Sequence, residues 1–315
     1  MTTAGNGLPT RRTCGAMDVH RKLLTESESY RRARDEVENF TLDPGSRVDP
    51  NAIEPRSVEV VVHVVSVAGA PEVTDAQVQS QIEVLNQDYG ATNTDLSSVP
   101  APFQPLIGKA AVQFALATSD PTGAPSSGIT RTTTTVVEFA TDDKVKSAVS
   151  GGIDPWPTDR YLNLWVCQLG GGLLGYAQFP GGPAKTDGVV ILRTAFGTSG
   201  TAAAPFDKGR TATHEVGHYF NLFHIWGDDG TGCNGSDEVD DTPNQAGSNA
   251  GIPTFPHVTC GNGPNGDLFM DFMDYTDDAG MSMFTKGQVA RMAACLSGAR
   301  KSLWNSKVGA SASHG

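Results

Sequence analysis

The chain reads as an α/β protein with an irregular second half, and three features lead there. β-branched runs alternate with amphipathic stretches between about residues 57 and 221, the pattern of helices laid against a sheet. From Trp226 to Met283 the chain is mostly Gly, Asn, Asp and Pro, which predicts irregular backbone that needs tethering. Residues 1–55 are dense in charge and end in a proline-containing stretch, so they form an appendage to the main body. A length of 315 residues allows one sizeable core or two modest ones.

One amphipathic helix is expected from about Met17 to Asn39. The segment TLDPGSRVDPNAIEPR (41–56) then reads as an exposed linker. A disordered tail and a removable prosegment both fit this region. SVEVVVHVVSV (57–67) is a buried strand by its β-branched content. TDAQVQSQIEVLNQDYG is a helix: Thr74 or Asp75 caps it, and Val78, Ile82 and Leu85 share one face. Strands are expected at 112–118, about 129–137, 161–167 and 187–196, with a short helix near 141–149 and a glycine-rich loop over 170–183. Helices follow from about Lys208 to Asn221 and from about Thr285 to Leu303. Alternation in the first half predicts a three-layer α/β sheet.

The composition excludes some classes. A net charge of −12 argues against nucleic acid, whose phosphates need a basic surface. No apolar run approaches the length that spans a bilayer, so no membrane partner is expected. Five cysteines (Cys14, Cys167, Cys233, Cys260, Cys295) are too few for a disulfide-built scaffold, and their odd number leaves at least one outside any intrachain pair. The N-terminus shows no apolar signal-peptide core, so the sequence does not itself settle the compartment.

The most specific signal is HEVGHYFNLFH (214–224). On a helix His214 and His218 lie one turn apart on one face and can reach one ion, with Glu215 beside them near a water on that ion. Imidazole nitrogen suits Zn²⁺, and three protein ligands leave its fourth position open. His224 reaches the same ion only if the chain leaves the helix near Asn221 and doubles back. That bend needs a positive φ, which asparagine tolerates next after glycine. The rival readings are a surface helix with two unrelated histidines and a site whose third ligand is a distant glutamate.

These residues resemble the metzincin clan of zinc peptidases, and within it the pappalysin family near its ulilysin-like bacterial members. The clan pattern HExxHxxGxxH has Asn221 in place of glycine here. FMDFMDYTDDAGMSMFT (269–285) resembles the clan's Met-turn: Met273 is then the floor beneath the metal, with Met270 as rival, and Tyr275 helps hold the tetrahedral intermediate. RTCGAMDVH (12–20) resembles the start of the family's prosegment, which implies that Cys14 ligates zinc in a latent form. Activation then requires a cut around Ser46–Arg47 or just after Arg56.

The resemblance also implies a Cys233–Cys260 disulfide, with Ile252 and Gly280 where a second pair would stand, and leaves Cys167 and Cys295 as buried thiols. DEVDDTPNQ (237–245) resembles the family's calcium stretch, which implies Asp237, Asp240 and Thr242 as ligands; a solvated acidic loop is the other reading. Three parts follow: 1–55 prosegment and linker, 56–224 N-terminal subdomain with the active-site helix, and 225–315 C-terminal subdomain with Met-turn and final helix. The fold implied is a twisted, mostly parallel sheet with backing and active-site helices.

The expected function is a secreted zinc endopeptidase acting on proteins or peptides, with Glu215 as general base and its own prosegment as intramolecular inhibitor. The strand at 187–194 is expected to be the edge that pairs with an extended substrate. The resemblance also implies an S1′ wall shortly after the Met-turn, where an acid in some relatives selects basic residues: Asp277 and Asp278 are candidates, and with Ala279 at the aligned position that preference is absent. The alternative is a non-catalytic zinc-containing binding module.

Overall fold

The computed structural model describes residues 7–43, 45 and 56–303. Its centre is a sheet built on β1 (Arg56–Val67), whose valines at 58, 60, 62 and 64 face one side and Val61 and Val65 the other. Both faces are buried, as they are in parallel sheets generally. With β2 (Val112–Leu116), β3 (Ile129–Thr134), β4 (Tyr161–Cys167), β5 (Gly175–Ala177) and β6 (Val189–Leu192), the order is β2-β1-β4-β6-β5, and β3 pairs with the second half of β1. Every pairing is parallel except β5 with β6.

β5 lies inside the stretch expected to be loop. Its three residues sit among glycines and become a strand only by pairing with β6. It, and not 187–194, is the edge of the sheet; β6 is interior, between β4 and β5.

The chain then adds α1 (Ala16–Glu26), α2 (Glu28–Leu42), α3 (Asp75–Tyr89), α4 (Arg210–Tyr219) and α5 (Lys286–Ser297). α3, capped by Thr74, and α4 contribute to one core on one face of the sheet. The other face, with Trp165, Tyr176, Val190 and Leu192, is covered by Phe139, Val145, Phe206 and irregular chain, and by Val19 and Leu23 of α1. The expected short helix at 141–149 is two 3₁₀ turns, Lys144–Lys146 and Ala148–Ser150, so on this face regular helix comes from α1. α5 is shorter than expected, and a capping box of Thr285 and Gln288 starts it.

The single N-terminal helix is two helices, broken at Ser27. That residue is extended (φ −131°, ψ 110°) and its side chain accepts from the Tyr30 N–H to cap α2. Both helices dock on the body. His20 of α1 bonds to Tyr30 and packs on Phe179 and Phe223, and Arg34 of α2 lies over Phe179. Ser46–Arg47 falls outside the described residues, whereas Arg56 is already part of β1, opposite Val112.

Candidate metal centre

α4 ends in a reversal of the Schellman type: the Asn221 N–H donates to His218 O and the Leu222 N–H to Gly217 O. Asn221 occupies the left-handed position with φ +78°. The reversal carries His224 back beneath the helix. The Nε2 atoms of His214 and His224 each stand 3.1 Å from that of His218. Together with Cys14 Sγ, the ligand atoms of this buried group lie within 4.8 Å of one another.

The other face of each ring decides its tautomer. Nδ1 of His214 donates to Phe272 O at 2.7 Å and Nδ1 of His218 to Leu222 O at 2.8 Å, because a carbonyl can only accept. His224 Nδ1 meets both oxygens of Asp228, at 2.8 and 3.0 Å. Burial and the neighbouring rings hold His214 and His218 well below the usual histidine range. With each Nδ1 committed to an acceptor, the three rings turn Nε2 towards a common point, where a cation would be held by three nitrogens. Nitrogens about 2.0 Å from a tetrahedral zinc stand about 3.3 Å apart, close to the spacing found. The donor set fits the metal.

Around that point, Glu215 Oε2 lies 3.3 Å from Cys14 Sγ. Burial pushes Glu215 up to about 8, opposed by the bond from Cys14 and by the charge of Arg12. β5 passes so close that a Cβ on Gly175 would meet Glu215 Cγ at 2.9 Å. Tyr275 accepts from the Cys14 N–H at 3.2 Å, and its ring packs on His214 and His224. Met273 is fully buried, with Sδ 2.5 Å from where a Cβ on Gly217 would stand, which puts it under α4 as a floor. Met270 belongs to a separate apolar cluster.

The N-terminal segment crosses this centre along the sheet edge. The Gly15 N–H donates to Gly175 O and the Leu174 N–H to Thr13 O, a parallel pairing with β5. Arg12 is then buried over Phe206. It donates to Thr276 O, to Thr211 Oγ1 and, at 2.6 Å, to Asp278. Asp278 is fully buried and also accepts from the Lys208 and Arg210 N–H groups, whereas Asp277 is half-buried and Ala279 exposed.

Elsewhere, Cys233 and Cys260 are joined, and Cys14, Cys167 and Cys295 are free and buried. A Cβ on Gly280 would touch Ile252 at 3.4 Å, so these two positions are neighbours. Asp237 is buried and accepts from Thr242 and from the Val239 N–H, while Asp240 is exposed. Arg12, Asp228 and the ring of Trp226, stacked 4.3 Å from His224, join the site without having been expected there. Asp228 had a legible signal, an acid four residues beyond the third histidine; Arg12, two residues before Cys14, had only its nearness.

The family described as pregnancy-associated plasma protein-A matches residues 143–297. An extracellular metalloprotease of Pyricularia oryzae is 34% identical over 250 residues, 75% of this chain and 73% of the relative, and one of Arthroderma otae is 29% identical over 93% of each. Among solved structures, a Tannerella forsythia promirolysin mutant is 44% identical over 93% of this chain and 97% of its own, with a TM-score of 0.85. Mature mirolysin of that organism, in complex with a cleaved peptide, is 49% identical over 80% of this chain and 97% of its own, with a TM-score of 0.79. The chain belongs to the pappalysin family of the metzincin clan and is a zinc metalloendopeptidase.

Proposed function

We propose that His214, His218 and His224 hold the catalytic zinc, that Glu215 is the general base, and that the chain is a secreted precursor kept latent by Cys14. The observation that carries the ligand assignment is the convergence of three Nε2 lone pairs whose opposite ring nitrogens are all committed to acceptors. Bound there, zinc supplies a Lewis acid for the scissile carbonyl and lowers the pKa of water. Glu215 takes a proton from the attacking water and passes it to the leaving amine. Tyr275 donates its hydroxyl to the developing oxyanion, and Met273 supports the histidines from below. The open edge of β5 pairs with an extended substrate backbone. Asp278, buried at the end of the recess now filled by Arg12, gives the cleft a preference for basic side chains.

Latency rests on Cys14. Its sulfur lies among the three histidines and against Glu215, where it occupies the water's position, and the parallel strip Thr13–Gly15 covers the edge that substrate needs. The precursor relative covers 93% of this chain and the mature one 80%; the difference, 13% of 315 residues or about 41, suits removal of an N-terminal segment. On this reading residues 1–55 are prosegment and linker, 56–224 and 225–315 are the two halves of the enzyme, and the cut falls near Ser46–Arg47. The name extracellular metalloprotease on the relatives supports secretion. Asp237, Asp240 and Thr242 hold calcium, which offsets the buried charge of Asp237 near Asp271; the melting temperature then falls in EGTA and recovers with Ca²⁺.

Glu215→Ala is expected to abolish peptide cleavage and keep one zinc per chain, whereas His218→Ala loses both. Cys14→Ala weakens latency, so peptide cleavage before processing rises above that of the parent chain. Peptidase activity retained in Glu215→Ala overturns the assigned base.

A further inference from the structure

The histidine motif departs from the clan at one residue, Asn221, and its side chain has a partner in the N-terminal segment. Asn221 is fully buried, and its Nδ2 donates to Glu38 Oε1 of α2 at 3.2 Å. Glycine would take the same positive φ with less strain but would offer no amide. The same carboxylate receives Arg291 of α5: Nη2 reaches both Glu38 oxygens, at 2.8 and 2.7 Å. Nε of Arg291 donates to Asn221 O at 2.7 Å, and its guanidinium lies 5.1 Å from the Phe223 ring centre. Arg34, one turn earlier in α2, donates to Glu38 at 2.6 Å and to Pro180 O. The reversal that brings His224 to the metal is thus gripped at its carbonyl by the body and at its side chain by the prosegment.

We propose that Glu38 is a positioning residue for the metal site. Through Asn221 and Arg291 it clamps the turn between His218 and His224, so the prosegment holds the zinc-binding loop closed as well as blocking it. The clamp rests on the ligand and prosegment assignments above but is independent of Cys14, which lies 24 positions away in the sequence and approaches the metal from the β5 side. Charge-assisted hydrogen bonds to a buried guanidinium are among the stronger ones available to a side chain. Removal of α2 leaves Arg291 holding only the carbonyl, so the loop is looser in the mature enzyme than in the precursor.

The test uses the full chain carrying Cys14→Ala and Glu215→Ala, which removes the sulfur ligand and prevents self-cleavage. The zinc-loaded protein is mixed with excess chromogenic chelator and zinc release is timed. Adding Glu38→Gln is expected to speed release about tenfold, the effect of losing one charged hydrogen bond. Glu36→Gln, on the exposed side of the same helix, leaves the rate unchanged. With Asn221→Gly already present, Glu38→Gln has a smaller effect, because one arm of the clamp is gone. Hydrogen exchange gives the second readout: in Glu38→Gln the Leu222 amide loses protection while α2 keeps its own. Release at the parent rate overturns the proposal, as does loss of protection in α2 itself, which would mean undocking. A parent that binds no zinc overturns the ligand assignment and the clamp with it.

Discussion

The sheet and the region from Gly227 to Phe284 order their backbones by opposite means. In the sheet, amides pair strand to strand and the stability comes from apolar side chains, with Leu164 and Trp165 of β4 both fully buried on opposite faces. Burial of one such side chain stabilises by about 1.5–3 kcal/mol. The later region has hardly any ladder. Its chain is wound around buried carboxylates: Asp274 accepts from Gln245, from the Asn249 N–H and from the Asn249 side chain, and Asp267 from Asn249, His257, Thr259 and Asn262. Nearer the surface, Asp229 and Asp241 accept from the Gly235 and Gly287 amides. The candidate metal centre thus has one wall made by a regular core and the other by polar nuclei. The two walls should fail separately.

Removing a nucleus should show this most strongly. Asp274→Ala takes the acceptor from the Asn249 and Tyr275 N–H groups and one partner each from the Gln245 and Asn249 side chains, and is expected to cost about 4 kcal/mol. Native-state hydrogen exchange should rise across 227–284 while β1 and β4 stay protected; a uniform rise would mean the two regions unfold as one. Replacing both Cys233 and Cys260 by serine opens a loop of 27 residues and should cost about 3 kcal/mol, read as a lower urea midpoint with the sheet amides again spared. Leu164→Ala should cost about 3 kcal/mol in the opposite pattern, weakening protection throughout the sheet.

The smallest effect is a pH dependence of the sheet. His63 in β1 is fully buried between Thr130 and Asn163, and burial lowers it to about 4. The unfolded chain protonates near 6.5, so the stabilising contribution is intact above 6.5 and drains away as pH falls towards 4. At pH 5 the loss is about 2 kcal/mol. His63→Gln should flatten that part of the urea-midpoint profile between pH 7 and 5; an unchanged slope would place the acid sensitivity elsewhere.

What the sequence made legible follows the same division. β1, β4 and α3 were readable because β-branched runs and helical spacing encode burial locally. Asn221 was readable as a turn because few residues accept its φ. β5 was not readable: Gly-Tyr-Ala has no strand pattern and owes its conformation to β6. The break at Ser27 carries neither glycine nor proline, and only its cap to Tyr30 marks it. The carboxylate nuclei were invisible for a similar reason, since an aspartate in a polar loop looks solvated until distant amides close around it. At the candidate metal centre the histidines announced themselves by spacing, whereas Arg12 and Asp278 meet across 266 positions.

The zinc K-edge of the metal-loaded chain reads the proposed ligand set itself. A shell of three nitrogens at about 2.0 Å with one sulfur at about 2.3 Å is expected, the sulfur vanishing in Cys14→Ala while the nitrogens stay. A shell without sulfur in the chain that carries Cys14, or with fewer than three nitrogens, would contradict the assignment.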